Sequence, residues 1–171
     1  MVIQRTIPAG VRREIDREQS AEQILAFLTI SHSTLLDDIR VVSDPVDHVL
    51  GGLTFQGFTF KITVLSDDDR PPFTQLTIQN SDQAIGEALR IASSPPKLTL
   101  ELIAGSEFDQ TVDPRTEITT ALRTYSASEL HLVNVDVNVL EITGRLQVRD
   151  YSSEMWPGTM ATEDVFPGLF R

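Results

Sequence analysis

The chain has no cysteine, which excludes a disulfide framework, a thiolate metal site and a cysteine nucleophile. Basic residues are scarce: 14 Lys and Arg stand against 25 Asp and Glu, a formal net charge of −11 over 171 residues. A protein that grips nucleic acid by neutralising phosphates needs the opposite balance, so specific nucleic-acid binding is not expected. Long apolar runs are also missing. No segment approaches the about eighteen apolar residues of a membrane span, and the start, Met1-Val2-Ile3-Gln4-Arg5, lacks a basic patch followed by an apolar core. Neither membrane insertion nor a classical secretion signal is expected.

Against these absences, apolar residues make up 40% and charged residues 23%, a globular balance in a chain long enough to bury a core without metals. Three segments differ in texture. Residues 1–22 hold Arg12-Arg13-Glu14 and Asp16-Arg17-Glu18 with Val11 and Ile15 as the one apolar pair at helical spacing, the pattern of a solvated helix or an arm. Residues 23–150 carry strand periodicity and form the core domain. Residues 151–171 abandon periodicity and form an apolar C-terminal arm.

Within the core, Ala26, Leu28 and Ile30 alternate with Phe27 and Thr29, and Ile39 and Val41 flank Arg40, which predicts two strands. Phe58, Phe60, Ile62 and Val64 alternate with Thr59, Lys61 and Thr63, and Leu76 and Ile78 alternate with Gln75, Thr77 and Gln79. The Ser66-to-Pro72 loop between them ends in prolines that cannot donate to a ladder, so the two runs are expected to pair as an antiparallel ribbon. Asn80-Ser81-Asp82 supplies capping chemistry for a short helix whose Ile85, Ala88, Leu89 and Ala92 share one face. Leu98, Leu100 and Leu102 then form another strand. Val133, Val135, Val137 and Val139 alternate before the apolar phase shifts to Leu140 and Ile142, so residues 130–149 are one long bent strand or a hairpin. The expected fold is mainly β: an antiparallel β-sandwich or partly closed barrel with one short helix and extended terminal arms.

No catalytic, cofactor-binding or metal-binding residue is assigned. Histidines 32, 48 and 131 have no second histidine at ligand spacing, and Ser31-His32-Ser33 lacks the elbow of a serine nucleophile, so a strand histidine is expected there. Asp67-Asp68-Asp69 runs into Arg70-Pro71-Pro72 rather than a calcium-loop glycine, and Asp37-Asp38 and Asp44 read as turn residues. Gly51-Gly52 leads into Leu53-Thr54-Phe55, not into a helix, and reads as a β-turn. The segment read as functional is the C-terminal arm. Trp156, Val165, Phe166, Pro167, Leu169 and Phe170 lie where chain ends are usually polar, and leaving such surface in water costs ~25 cal/mol per Å². They are the expected assembly interface, covering either their own domain or a neighbour.

The ribbon Phe58 to Leu65, the loop ending Pro71-Pro72, the run Gln75-Leu76-Thr77-Ile78-Gln79-Asn80 and the helix around Ile85 to Arg90 resemble the minor tail proteins of long-tailed bacteriophages. The ending Phe166-Pro167-Gly168-Leu169-Phe170 is similar to the close of a small phage family encoded among tail-tip genes. The resemblance implies a tail-tube-like β-sandwich in a distal tail or hub-adaptor protein. Its partners would be copies of itself in a ring and the adjacent tube, hub or fibre proteins, in a virion tail made in the host bacterial cytoplasm. The cysteine-bound iron–sulfur module of some such proteins has no counterpart here, and no cofactor is implied. Two other readings compete: a receptor- or carbohydrate-binding module using Tyr125, Phe108 and Tyr151, and a tail-associated cell-wall hydrolase.

Overall fold

The computed structural model describes residues 3–5, 7–18, 20, 22–63, 65, 73–80, 84–92 and 94–148. Its elements are β1 (Ile3–Arg5), α1 (Ala9–Ile15), β2 (Ile24–Ser31), β3 (Ile39–Val42), β4 (His48–Leu50), β5 (Leu53–Gly57), β6 (Phe60–Ile62), β7 (Phe73–Gln79), α2 (Ala84–Ile91), β8 (Lys97–Ala104), a 3₁₀ turn (Gly105–Glu107), β9 (Phe108–Asp109), β10 (Arg115–Glu117), β11 (Arg123–Val137) and β12 (Glu141–Val148). The strands run in the order β6-β7-β12-β11-β8-β2-β3-β5-β4-β10-β9, with β1 added beside β11. Neither end of this order joins the other, so the barrel alternative falls and the β-sandwich remains. Pairing is antiparallel except between β3 and β5 and between β4 and β10. Among the described residues no helix is long and apolar enough to cross a membrane.

The sandwich arises because β2 is buried on both faces. Ala26, Leu28 and Ile30 point into a main core with Leu76, Ile78, Leu98, Leu100, Leu130 and Leu146, and α2 covers it with Ile85 and Leu89. Leu25 and Phe27 point the other way, into a second core with Val42, Leu50, Phe55, Ile103 and Phe108. Adjacent strand residues face opposite sides, so one strand serves two cores only when both phases of its alternation are apolar. β2 meets this condition with Leu25-Ala26-Phe27-Leu28.

The ribbon forms as expected, Phe60 opposite Ile78 and Ile62 opposite Leu76. Residues 130–149 resolve as a hairpin: β11 and β12 pair from Leu130–Val148 to Val137–Ile142. β11, at 15 residues, is irregular along its length. Its register slips between Arg123 and Tyr125, between Ala127 and Leu130, and between Val133 and Asp136. A residue of positive φ sits in the second and third slips, Glu129 at 61° and Asn134 at 51°. This is the geometry of a bulge that re-aims the strand. Before the slip at Ala127–Leu130 β11 lies between β8 and β1, and after it β12 takes the place of β1.

Two turns rest on glycine. Gly51 and Gly52, at φ 58° and 76°, close the two-residue hairpin between β4 and β5, as a mirror-type turn requires. At Gly57 a Cβ would stand 2.7 Å from the Asp44 carbonyl oxygen and 2.7 Å from the Pro45 carbonyl carbon, so the β3–β4 connection lies directly on its backbone.

Of the residues expected to cap α2, Ser81 and Asp82 lie outside the described residues. Asn80 is buried and serves the far hairpin: its backbone N–H donates to Leu140 O at 2.9 Å and its Nδ2 to Asn138 O at 2.8 Å. Of the N-terminal segment, residues 3–5 add an edge strand on β11 and residues 9–15 form a second short helix with Val11 buried.

Candidate assembly surface and buried polar cluster

The second core covers only one half of the sheet's outer face. It sits over the Leu25–Phe27 end of β2 and the Ile103 end of β8, and among the described residues it does not extend over the opposite ends of these strands. There, cross-strand register sets a row of outward side chains: Ser31 beside Lys97, Lys97 beside His131, His131 beside Gln147, and Gln147 beside Phe73. Directly paired residues share a face, so five strands contribute to one surface. Val133, two residues on from His131, joins it opposite Arg145. The row borders an open cavity of about 780 Å³, walled on its far side by His32, Ser94 and Pro95. Phe73 is 60% exposed, and its ring lies 3.8 Å under the Arg145 guanidinium carbon. This stacking holds an aromatic ring at a sheet surface in contact with a cation.

His32 is tied by its neighbours. The Thr34 backbone N–H donates to Nδ1 at 3.1 Å, so Nδ1 holds a lone pair and Nε2 carries the proton. Nε2 therefore donates to Ser94 Oγ at 2.8 Å. A histidine that activates a serine needs the reverse arrangement, with an acceptor Nε2 and a carboxylate at Nδ1. Asp38 also lines the cavity, but its carboxylate takes Arg40 at 3.2 Å.

The second exposed feature is the β11–β12 turn. Val139 is 73% and Leu140 81% exposed, yet the turn is pinned by the two Asn80 bonds and by Asn138 N–H donating to Glu141 O. Large apolar side chains on a fixed turn form a presented surface, not a frayed end.

The polar cluster is inside. Asp44, read from sequence as a turn residue, is buried and accepts Arg115 Nη1 at 2.6 Å. His48 is fully buried; its Nδ1 donates to Val46 O at 2.9 Å, and its Nε2 has no hydrogen-bond partner, 3.7 Å from Asp44 Oδ2. Its ring sits edge-on to Phe108 at 4.9 Å and to Phe27 at 5.8 Å. Burial among these rings, the largest effect, holds its pKa below the usual 6.5, against the opposing Val46 hydrogen bond and Asp44 charge. The cluster ties the β3–β4 connection to β10 across 71 residues of sequence.

The residues read from sequence as the assembly interface, Trp156, Val165, Phe166, Pro167, Leu169 and Phe170, lie outside the described residues, as do Tyr151 and Asp67-Asp68-Asp69. Phe108 and Tyr125, the aromatics assigned to a binding module, are both buried, Phe108 in the second core and Tyr125 in the main one. Glu101 is half-buried and accepts Arg123 Nε at 2.5 Å. The row from Ser31 to Phe73 escaped the sequence reading. Its one local signal was Phe73, an aromatic out of phase with Leu76 and Ile78.

Neither the protein-family models nor the curated proteins give a match to this sequence. Among solved structures, the fold is similar to a chain in the virion of a native gene transfer agent particle, with a TM-score of 0.59 and 14% identity over 90% of this chain. The match covers 49% of that chain, so this protein spans about half its length. At this identity the likeness is one of fold.

Proposed function

We propose that this chain is a structural subunit of a bacteriophage-type tail tip, forming an oligomeric ring or adaptor between the tail tube and the hub or fibres. The observation that carries the reading is the match of 90% of the chain to a fold found in a gene transfer agent virion. The pinned apolar turn at Val139–Leu140 supports it, because a subunit packed by its neighbours needs apolar surface that its own core leaves uncovered. The chain's acidity suits a part that DNA passes without being held.

The test has two arms. Labelling the chain in purified particles for electron microscopy should place it at the distal end of a tail, and light scattering of the isolated chain should give a mass above that of a monomer. A strict monomer absent from particles would refute the proposal.

A further inference from the structure

We infer that the cavity bordered by Ser31, His131 and Gln147 is a binding site for a neutral saccharide, with a second depression beside Phe73 taking the next unit of the sugar chain. The first has the volume of a small-molecule site, about 780 Å³ against the roughly 300–1,000 Å³ that such sites span. Its charges are already met. Asp38 accepts Arg40 at 3.2 Å, Lys97 meets Glu129 at 3.3 Å, and His32 is neutral because its Nδ1 accepts the Thr34 N–H. Among the described lining residues a phosphate or carboxylate would find no unpaired Lys or Arg, and a nucleobase would find no aromatic ring to stack on.

The remaining polar groups are neutral and versatile. The Ser31 and Ser33 hydroxyls, the His131 ring and the Gln147 amide line the cavity and make no side-chain hydrogen bond among the described residues. Ser94 Oγ accepts a hydrogen bond from His32 Nε2 at 2.8 Å, so its own O–H is left to donate. Each of these hydroxyl, imidazole and amide groups offers a donor and an acceptor. A sugar hydroxyl has the same double capacity, so it replaces water on any of them without stranding either partner. Val133 and Pro95 supply apolar wall for the C–H face of a pyranose ring.

The same face continues beyond the cavity. Gln147 pairs with Phe73, and the neighbouring row runs from Val133 to Arg145 to Gln75. That row borders a depression of about 230 Å³ lined by Phe73, Gln75, Asn134, Thr143 and Arg145. Amides and a hydroxyl recur there. The Arg145 guanidinium, 3.8 Å over the Phe73 ring, adds N–H donors that a sugar oxygen can accept. Phe73, 60% exposed, stands at the boundary of the two depressions and suits the apolar side of a second pyranose. Two adjoining depressions of like chemistry fit a ligand built from repeated polar units.

Sugar binding does not depend on the tail-tip proposal, and the two are tested apart. The full chain, isotope-labelled, is titrated with glucose, galactose and N-acetylglucosamine and with a disaccharide of each, and the amides are followed by NMR. At least one of these sugars should shift the amides of Ser31, Lys97, His131 and Gln147, with a dissociation constant of about 1 mM, roughly tenfold lower for its disaccharide. Val133→Trp, which fills the cavity floor from an outward position, should abolish binding. Ser94→Ala and Gln147→Ala should each weaken it several-fold, and they carry the test if Val133→Trp does not fold. Val139→Ser, at the β11–β12 turn, should leave it unchanged. No shift at the cavity amides with any of these sugars, or binding that survives all three cavity variants, would overturn the inference. A cavity that answers an uncharged tripeptide amide and none of the sugars is a polypeptide seat, which overturns it too. Sugar binding by a chain that never enters particles would retire the tail-tip proposal and leave this one standing; a chain present in particles whose cavity answers no sugar would do the reverse.

Discussion

Acidification should destabilise this protein through His48, and removing that histidine should remove the effect. The folded state keeps His48 neutral because protonation would place a cation among Phe27, Phe55 and Phe108, with its nearest counter-charge, Asp44, already bound to Arg115. The unfolded chain has no such cage and binds the proton near pH 6.5. A base whose folded pKa is depressed leaves stability intact above its unfolded value. Below 6.5 the unfolded state binds more protons, so stability falls by up to ~1.4 kcal/mol per pH unit until the folded value is reached. Against a total of ~5–15 kcal/mol for a domain, each unit is a measurable fraction. The assay is urea unfolding of the wild type and of His48→Phe at intervals between about pH 8 and about pH 5. Phenylalanine keeps the edge contacts with Phe27 and Phe108 and discards the unpartnered Nε2, while losing the bond to Val46 O at a cost of ~1 kcal/mol. His32 and His131 are present in both proteins and cancel in the difference. Identical pH slopes for the two proteins, or a wild type that gains stability on acidification, would refute the reasoning.

Other outcomes follow from the same geometry. Arg115→Met strands the Asp44 carboxylate in the interior and should cost ~3 kcal/mol in urea unfolding, with Asp44→Asn in the same chain recovering part of the loss. Gly57→Ala drives a methyl against the Asp44 and Pro45 backbone, which cannot rotate away, and should cost ~1–3 kcal/mol, read as a lowered Tm. Replacing Val139 and Leu140 together by Ser should leave monomer stability within ~0.5 kcal/mol, since both are exposed, while lowering the mass measured by light scattering if that turn packs in the assembly.

Much of the fold was legible because its signals are local. The ribbon of β6 and β7 needs only alternation on two runs and a proline-ended loop between them. α2 needs only Ile85 and Leu89 one turn apart, and the β4–β5 hairpin only two glycines between short apolar runs. What misled was equally physical. Asn80 sits where a helix cap is expected, yet a side-chain amide bonds whatever backbone the fold brings near, and here that is the Asn138–Leu140 turn. Asp44 lies in a bend, as its composition implied, but a bend becomes an interior site when β10 lays Arg115 over it. The valines of β11 carried the right period but the wrong burial. Val135 is exposed while Val137 packs against the main core, because the bulge at Asn134 re-aims the strand, and Val139 is exposed in the turn beyond β11.

The sequence by itself therefore determined the class of the protein: an acidic, cysteine-free β chain whose strands, ribbon, covering helix and glycine turn follow from alternation, spacing and backbone freedom. Only the tertiary structure decided which faces are left over. A bare surface is the part of a sheet that no second layer covers, and that depends on where β4, β5, β9 and β10 fold back across β2 and β8, an arrangement of contacts distant in sequence. The row from Ser31 to Phe73 exists as one surface because five strands meet in register, and no local pattern records a register.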